Sequence, residues 1–256
     1  MICLKSRREI GMMRHAASKL KLVFQELLKK VQVGLTTYDL DEIAVKLIHK
    51  QGAEATFKGY RGYPASICTS LNCEVVHGIP SKKRKLIDGD LLSVDIGLTD
   101  EGYIADAART VMVGRKNEDI LKLIEVTKKS LFIAMSVMRP GKRVGDIGAA
   151  VQKHVESNGF SVIRDFVGHG VGRALHEDPQ VPNYGKEGRG AKLEVGMVIA
   201  IEPMVAAGSW EVEMLENKWT VVTRDRKMAA HYEDTIAITE EETENLTGPQ
   251  EFNGLD

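Results

Sequence analysis

Four carboxylates and an imidazole lie in sequence settings where an uncompensated charge is costly. Asp95 falls in "GDLLSVDIG", Asp106 in "ADAARTV", Glu202 in "GMVIAIEP" and Glu233 in "AHYEDTIAIT". All four segments carry the alternation and β-branched content of strands. The centre "TDEG" of the stretch between the two aspartates is a turn signal. With that turn centred between Asp100 and Glu101, Asp95 and Asp106 face each other across a hairpin, roughly 4.5 to 5.5 Å apart at Cβ. Like charges so placed repel, and Arg109, an odd number of positions from Asp106, is expected on the opposite face. Four carboxylates gathered in a sheet carry a charge of about −4, which burial forbids unless it is neutralised. Two divalent cations would balance it, and oxygen donors with one imidazole suit Co, Mn, Fe or Zn. His169, between Gly168 and Gly170 in "FVGHGVGRALHEDP", is the candidate imidazole, with His176 on the same stretch. The competing reading is a glycine-rich turn with an incidental histidine, beside four unrelated surface acids.

The elements that must bring these residues together repeat. At a constant offset of 107 positions, Gly34 maps to Gly141, Asp39 to Asp146, Gly52 to Gly159 and Gly89 to Gly196. The same offset carries Asp95 onto Glu202, so each half holds one carboxylate at an equivalent place. In each half an apolar stripe at helical spacing comes first, with Ile120, Ile124, Leu131, Met135 and Met138 marking it in the second. A second helix ending on glycine follows, in "TTYDLDEIAVKLIHKQG" and "KRVGDIGAAVQKHVESNG". The expectation is an α+β fold: one catalytic domain over residues 1–256, with halves of roughly 8–112 and 117–240 related by a pseudo-two-fold axis. Helices would cover a curved antiparallel sheet with the site between the halves. From 240 to 256 runs an acidic tail rich in turn formers, whose last residues are expected to fray.

Composition narrows the partners. The 256 residues are 43% hydrophobic and 28% charged, with a formal charge of −1, which demands neither a nucleic acid nor a membrane. No apolar run reaches the roughly 20 residues of a spanning helix, and the first residues lack a signal-peptide core. Cys3, Cys68 and Cys73 are an odd count without zinc spacing, so free thiols and a cytoplasmic location are expected. The run "KKRK" at Lys82–Lys85 reads as a solvated loop between strands.

Taken as a set, "HGIP" with His77, "SVDIG" with Asp95, "ADAARTV" with Asp106, "GHGVGRALHEDP" with His169 and His176, "IEPM" with Glu202 and "YEDT" with Glu233 resemble the type I methionine aminopeptidases. The likeness runs from about Ile10 to Thr239. It implies the pita-bread fold and a bacterial-type enzyme that removes the initiator methionine from nascent polypeptides when the second residue is small. By the same resemblance, Asp95 chelates a first metal ion, Asp106 and Glu233 bridge both ions, and His169 and Glu202 complete the second. His176 contacts the scissile carbonyl oxygen, His77 the substrate amide, and Glu202 shuttles a proton. Tyr60, Tyr63, Cys68 and Trp219 surround the methionine side chain. A monomer is implied, with transient ribosome contact as a possible partner interaction.

Three positions depart from the family pattern. Leu175 stands where an aromatic is common and would widen the methionine pocket. Asp234 replaces a frequent histidine, and Cys73 interrupts a usual "NE" pair. The acidic segment "GSWEVEMLENKW" also counts against ribosome docking. Within the same fold, aminopeptidase P and prolidase are the alternatives, although they normally carry a large extra N-terminal domain. A non-catalytic pita-bread binding protein is a third, although such proteins typically lose ligands and all five are present here.

Overall fold

The computed structural model describes residues 1–248; the end of the acidic stretch, 249–256, lies outside the described residues. Ser6 opens the first helix with a reciprocal cap: its Oγ accepts from Glu9 N, and its own N–H donates to the Glu9 carboxylate at 2.8 Å. Helix α1 then runs Arg7–Leu28, and α2, Thr37–Lys50, starts with the same device built from Thr36 and Asp39. The strands of this half are β1 (Glu54–Ala55), β2 (Cys68–Leu71), β3 (Glu74–Val76), β4 (Leu91–Asp100) and β5 (Tyr103–Met112). The second half repeats the helix pair as α3 (Glu118–Val137) and α4 (Val144–Ser157). Its strands are β6 (Ser161–Val162), β7 (Gly168–Gly170), β8 (Glu177–Val181), β9 (Val198–Ile201), β10 (Met204–Ala206), β11 (Val212–Met214), β12 (Val221–Thr223), β13 (Ala229–His231), β14 (Glu233–Ile238) and β15 (Thr243–Asn245).

The repeat persists at the level of single hydrogen bonds. Gly34 N donates to Leu86 O at 2.9 Å and Leu86 N to Leu35 O at 2.8 Å; Gly141 N donates to Leu193 O at 3.0 Å and Leu193 N to Lys142 O at 2.7 Å. The isolated bridges Thr36–Lys85 and Arg143–Lys192 obey the same offset. Each half packs its helices on its strands around a separate core, with Leu20, Leu40 and Ile96 in one and Leu123, Ile147 and Ile199 in the other. In α3 the buried face is rotated from the expected stripe. Leu123, Val126 and Ala134 are buried with Leu131, whereas Ile120 and Ile124 pack only partly, because small polar Thr127 and Ser130 also face inward. Their hydroxyls donate to carbonyls of their own helix, which makes that burial tolerable.

One antiparallel sheet of nine strands joins the halves in the order β1-β4-β5-β14-β9-β7-β8, with β2 also on β4 and β15 also on β14. The seam is the pairing of β5 with β14, Ala108 opposite Glu233 and Ala107 opposite Asp234. The acidic stretch from 240 is therefore not a free tail over its described part. β15 pairs with β14, Arg14 clasps Glu244 at 2.7 Å, Leu246 is buried, and Thr247 Oγ1 donates to Asp234. The last residues, on which fraying is expected, lie outside the described residues, while those up to Gly248 have both an apolar anchor and strand partners. The acidic β11 segment is likewise compensated, Glu211 and Glu213 pairing with Arg224 and Arg226.

Candidate metal centre

The hairpin β4–β5 turns one residue later than expected. Asp100 pairs with Tyr103, and the two central residues, Glu101 and Gly102, have φ of 48° and 77°. A two-residue turn with positive φ at both centres matches the twist of the strands, and Gly102 makes it accessible. The register shift places Asp95 opposite Ala108 and Asp106 opposite Gly97, so the aspartates are diagonal neighbours on one face and not directly opposed. Small residues then leave room for the charges. A single row crosses the sheet through Cys68, Asp95, Ala108 and Glu233, and a second through His169, Ala200 and Thr235. Glu202 follows β9 directly, and Asn183 Nδ2 donates to its carbonyl oxygen at 2.9 Å.

The five residues singled out from the sequence converge. His169 Nε2 lies 3.6 Å from Glu202, 3.9 Å from Asp106 and 4.0 Å from Glu233. Asp95 pairs with Cys68 across β2 and lines the same cavity. Asp95 Oδ1, Asp106 Oδ1 and Glu233 Oε1 are buried without a hydrogen-bond partner. Burial and mutual repulsion raise Asp95, Glu202 and Glu233 well above the usual carboxylate range, and burial lifts Asp106 to about 7. Orphaned oxygens and repelling carboxylates beside neutral imidazoles are the donor set a hard or borderline divalent cation satisfies. Asp106, His169 and Glu233 each offer an atom within 4.8 Å of the others, and Glu202, His231 and Glu233 do the same. His231 is the residue that reading the sequence missed. Its signal was available, since it sits two positions before Glu233, and alternate residues of a strand share a face.

The glycines around His169 serve the protein itself. A Cβ on Gly168 would lie 2.3 Å from Ala200 O, and one on Gly170 would lie 2.2 Å from Asp178 O. The space that those Cβ atoms would occupy is thus taken up by β8 and β9; the bulge between His169 and Gly170 brings the β8 backbone close. His169 Nδ1 meets Gly170 O at 2.9 Å, so it donates there and leaves Nε2 as a free lone pair. Burial keeps this ring neutral by lowering its pKa.

His176 and His77 flank the carboxylates. His176 is stacked on Tyr60, its Nδ1 2.8 Å from the phenol oxygen, with its ring 4.2 Å from that of His169. Tyr60 thus contacts His176 as well as lining the cavity. Glu177 fixes the turn before His176 by accepting from Arg173 N and Ala174 N, and Lys5 reaches across from the N-terminal segment to pair with it. His77 has φ of 59°, a strained value for a residue with a Cβ and one that clusters at functional sites. Burial lowers His77 to about 4, and burial reinforced by His169 lowers His176 to about 3, so both are neutral donors at physiological pH.

A cavity of about 150 Å³ opens beside these groups, lined by Tyr63, Cys68, Trp219, Leu175 and Phe57 with His77 and His176. Phe57, unmarked in the sequence, packs into the space left by Gly97. Tyr63 meets Trp219 edge to face at 5.0 Å. Asp234 stays out of this cavity. On the reverse face of β14 it accepts from Arg109 at 2.5 Å, from Thr247 Oγ1 and from Asn245 Nδ2, while Arg109 also donates to Glu233 O. Removing Asp234 by Asp234→Ala strands a buried guanidinium behind Glu233 and is expected to cost about 3 to 5 kcal/mol. Urea unfolding of the variant checks this, and a loss below about 1 kcal/mol would show that the pair carries no such weight.

Residues 11–240 match metallopeptidase family M24. The methionine aminopeptidase of Clostridium acetobutylicum is 51% identical over 247 residues, which cover 96% of this chain and 99% of that one. The crystal structure of methionine aminopeptidase from Thermotoga maritima superposes with a TM-score of 0.95 at 44% identity, covering 97% of this chain and all of that chain. The prolidase of Pyrococcus horikoshii superposes with a TM-score of 0.77 at 24% identity, covering 96% of this chain but 64% of the prolidase, a likeness of fold alone.

Proposed function

Since the chain belongs to metallopeptidase family M24, with methionine aminopeptidases as near-full-length relatives, we propose that it hydrolyses the N-terminal methionine from nascent polypeptides whose second residue is small. The observation that carries this reading is the meeting of buried, unpartnered carboxylate oxygens from both halves beside a cavity walled by aromatic rings and the Cys68 thiol. Asp95, Asp106 and Glu233 would hold one divalent ion, and Asp106, Glu233, His169 and Glu202 a second, drawn from Co, Mn, Fe or Zn. Such ions, when bound, lower the pKa of water towards neutrality and polarise a carbonyl oxygen.

The side chains supply the rest. Glu202 is the only one of the four carboxylates that directly follows a strand rather than lying within one, and its side chain keeps 13% exposure. It takes the proton released by the attacking water and passes it to the leaving amine. His176 accepts the Tyr60 hydroxyl proton at Nδ1, which leaves Nε2–H to donate to the developing oxyanion. His77 holds the substrate amide beside it. Tyr63, Cys68 and Trp219 receive the thioether, each sulfur–aromatic contact adding roughly 0.3 to 1.5 kcal/mol. Among the described residues no helix is long and apolar enough to cross a membrane. The proposal extends to a monomer that meets nascent chains in the cytoplasm, with transient ribosome contact.

The test is a comparison of kcat/KM for Met-Ala-Ser, Leu-Ala-Ser, Met-Leu-Ser and Ala-Pro-Ala. Met-Ala-Ser should be cut fastest and Met-Leu-Ser far more slowly, and Trp219→Ala should narrow the methionine-over-leucine preference. Preference for Ala-Pro-Ala would instead support an aminopeptidase P, and equal rates on Met and Leu peptides would mean that Leu175 has opened the pocket.

A further inference from the structure

His231 closes β13 and is anchored by its backbone. Its N–H donates to Thr110 Oγ1 at 2.9 Å, and that same hydroxyl donates to His231 O at 2.7 Å. The side chain is 2% exposed, and its Nε2 is buried with no hydrogen-bond partner. That nitrogen lies 3.6 Å from Glu202 Oε2 and 3.9 Å from Glu233 Oε2. Both separations are too long for a hydrogen bond. They match two donors sharing one ion, since ligand bonds of about 2.0 to 2.2 Å place such atoms about 3 to 4 Å apart.

The arrangement repeats around the other imidazole. His169 Nε2 lies 3.6 Å from Glu202 Oε1 and 4.0 Å from Glu233 Oε1. Each glutamate therefore turns one oxygen towards His169 and the other towards His231. We propose that His231 is a metal ligand, and that its Nε2 with Glu202 Oε2 and Glu233 Oε2 forms a cation position of its own, adjoining the one that His169 serves. One nitrogen and two carboxylate oxygens suit a borderline divalent ion such as Zn or Co. An ion there engages Glu202, the proton carrier, so excess cation lowers activity by occupying this position.

The proposal rests on the cation-binding reading of the site given above, and the test separates the two. Metal-stripped protein is titrated with Co(II) by calorimetry, and bound metal is counted after desalting, for the parent and for His231→Gln. The parent should take up one equivalent more than the variant, and its activity should fall more steeply from its own maximum at excess Co(II). The Co(II)-loaded parent should also show two hyperfine-shifted, exchangeable imidazole N–H resonances, from His169 and His231, a reading that holds even if the variant does not fold. Equal uptake and affinity in the two proteins, or a single shifted N–H in the parent, overturns the proposal. A parent that binds no Co(II) overturns the cation-binding reading as well.

Discussion

Stripped of divalent cations by a strong chelator, the protein is expected to lose its peptidase activity, by a factor of roughly 10⁴ or more, and to regain it when Co, Mn or Fe is added. No side chain in the cavity is poised to replace the cations. Its imidazoles are neutral, and its carboxyls are pushed towards protonation by burial and by one another. The fold should survive, because the two large apolar cores extend well beyond the site. What changes is the pH dependence of stability. A carboxyl whose folded pKa is raised contributes stability below its unfolded value near 4 and loses it as the pH climbs through the folded value, about 7 for Asp106. Buried imidazoles act in the opposite sense. His77 at about 4, and His176 and His231 at about 3, contribute stability above an unfolded value near 6.5 and lose it as the pH falls. Between pH 6.5 and 8 the carboxyls dominate, so the unfolding free energy of the stripped protein should fall as pH rises, by up to about 1.4 kcal/mol per pH unit for each proton released, and its melting temperature should fall with it. Cations should flatten that slope. Full activity in a preparation shown to be metal-free would end the metallopeptidase mechanism, and a stripped protein that grows more stable from pH 6.5 to 8 would contradict the carboxyl shifts.

Replacing His176 with Ala should lower kcat by about 10² to 10³-fold while leaving bound metal and KM nearly unchanged. His176 carries no charge to lose, because its pKa sits at about 3. In the proposed role of a fixed N–H donor, its loss should give a deficit that is flat from pH 5 to 8. Tyr60→Phe removes the hydroxyl that sets the tautomer and should lower kcat by a smaller factor, on the order of 10-fold. His169→Ala should behave differently, losing metal affinity before any rate constant can be compared. Metal content and kinetics measured together decide the matter: if the His169 and His176 variants match in both, the division of roles is wrong.

The site was legible in the sequence to the extent that chemistry demanded particular residue types. Asp95, Asp106, Glu202 and Glu233 stood out because acids among β-formers need a partner, and the offset linking Asp95 to Glu202 anticipated a site between two halves. Register was less accessible. The "TDEG" turn admits two centres one residue apart, and only the positive φ of Glu101 and Gly102 selects the later one, which turns an opposed pair into a diagonal pair. The glycines beside His169 did not reveal which backbone comes close; in the structure it is that of β8 and β9. Asp234 departs from the family pattern directly after Glu233, yet strand parity sends it to the reverse face with Arg109. Phe57 gave no sign, since it lies outside any strand and reaches the cavity through a gap left by Gly97 of β4.

The seam between β5 and β14 also bears on how the chain could be cut. Residues 114–117, which link the halves, are exposed and lie outside every helix and strand, the setting in which a break is best tolerated. A break there would leave two fragments of comparable size, each with a helix pair and a core, and neither with a complete set of donors. Asp95 and Asp106 would go with one piece and His169, Glu202 and Glu233 with the other. The seam would then become a reassembly interface, and the cations that bind across it would act as the glue. Recovered peptidase activity would report that the two fragments had met, the behaviour of a split reporter.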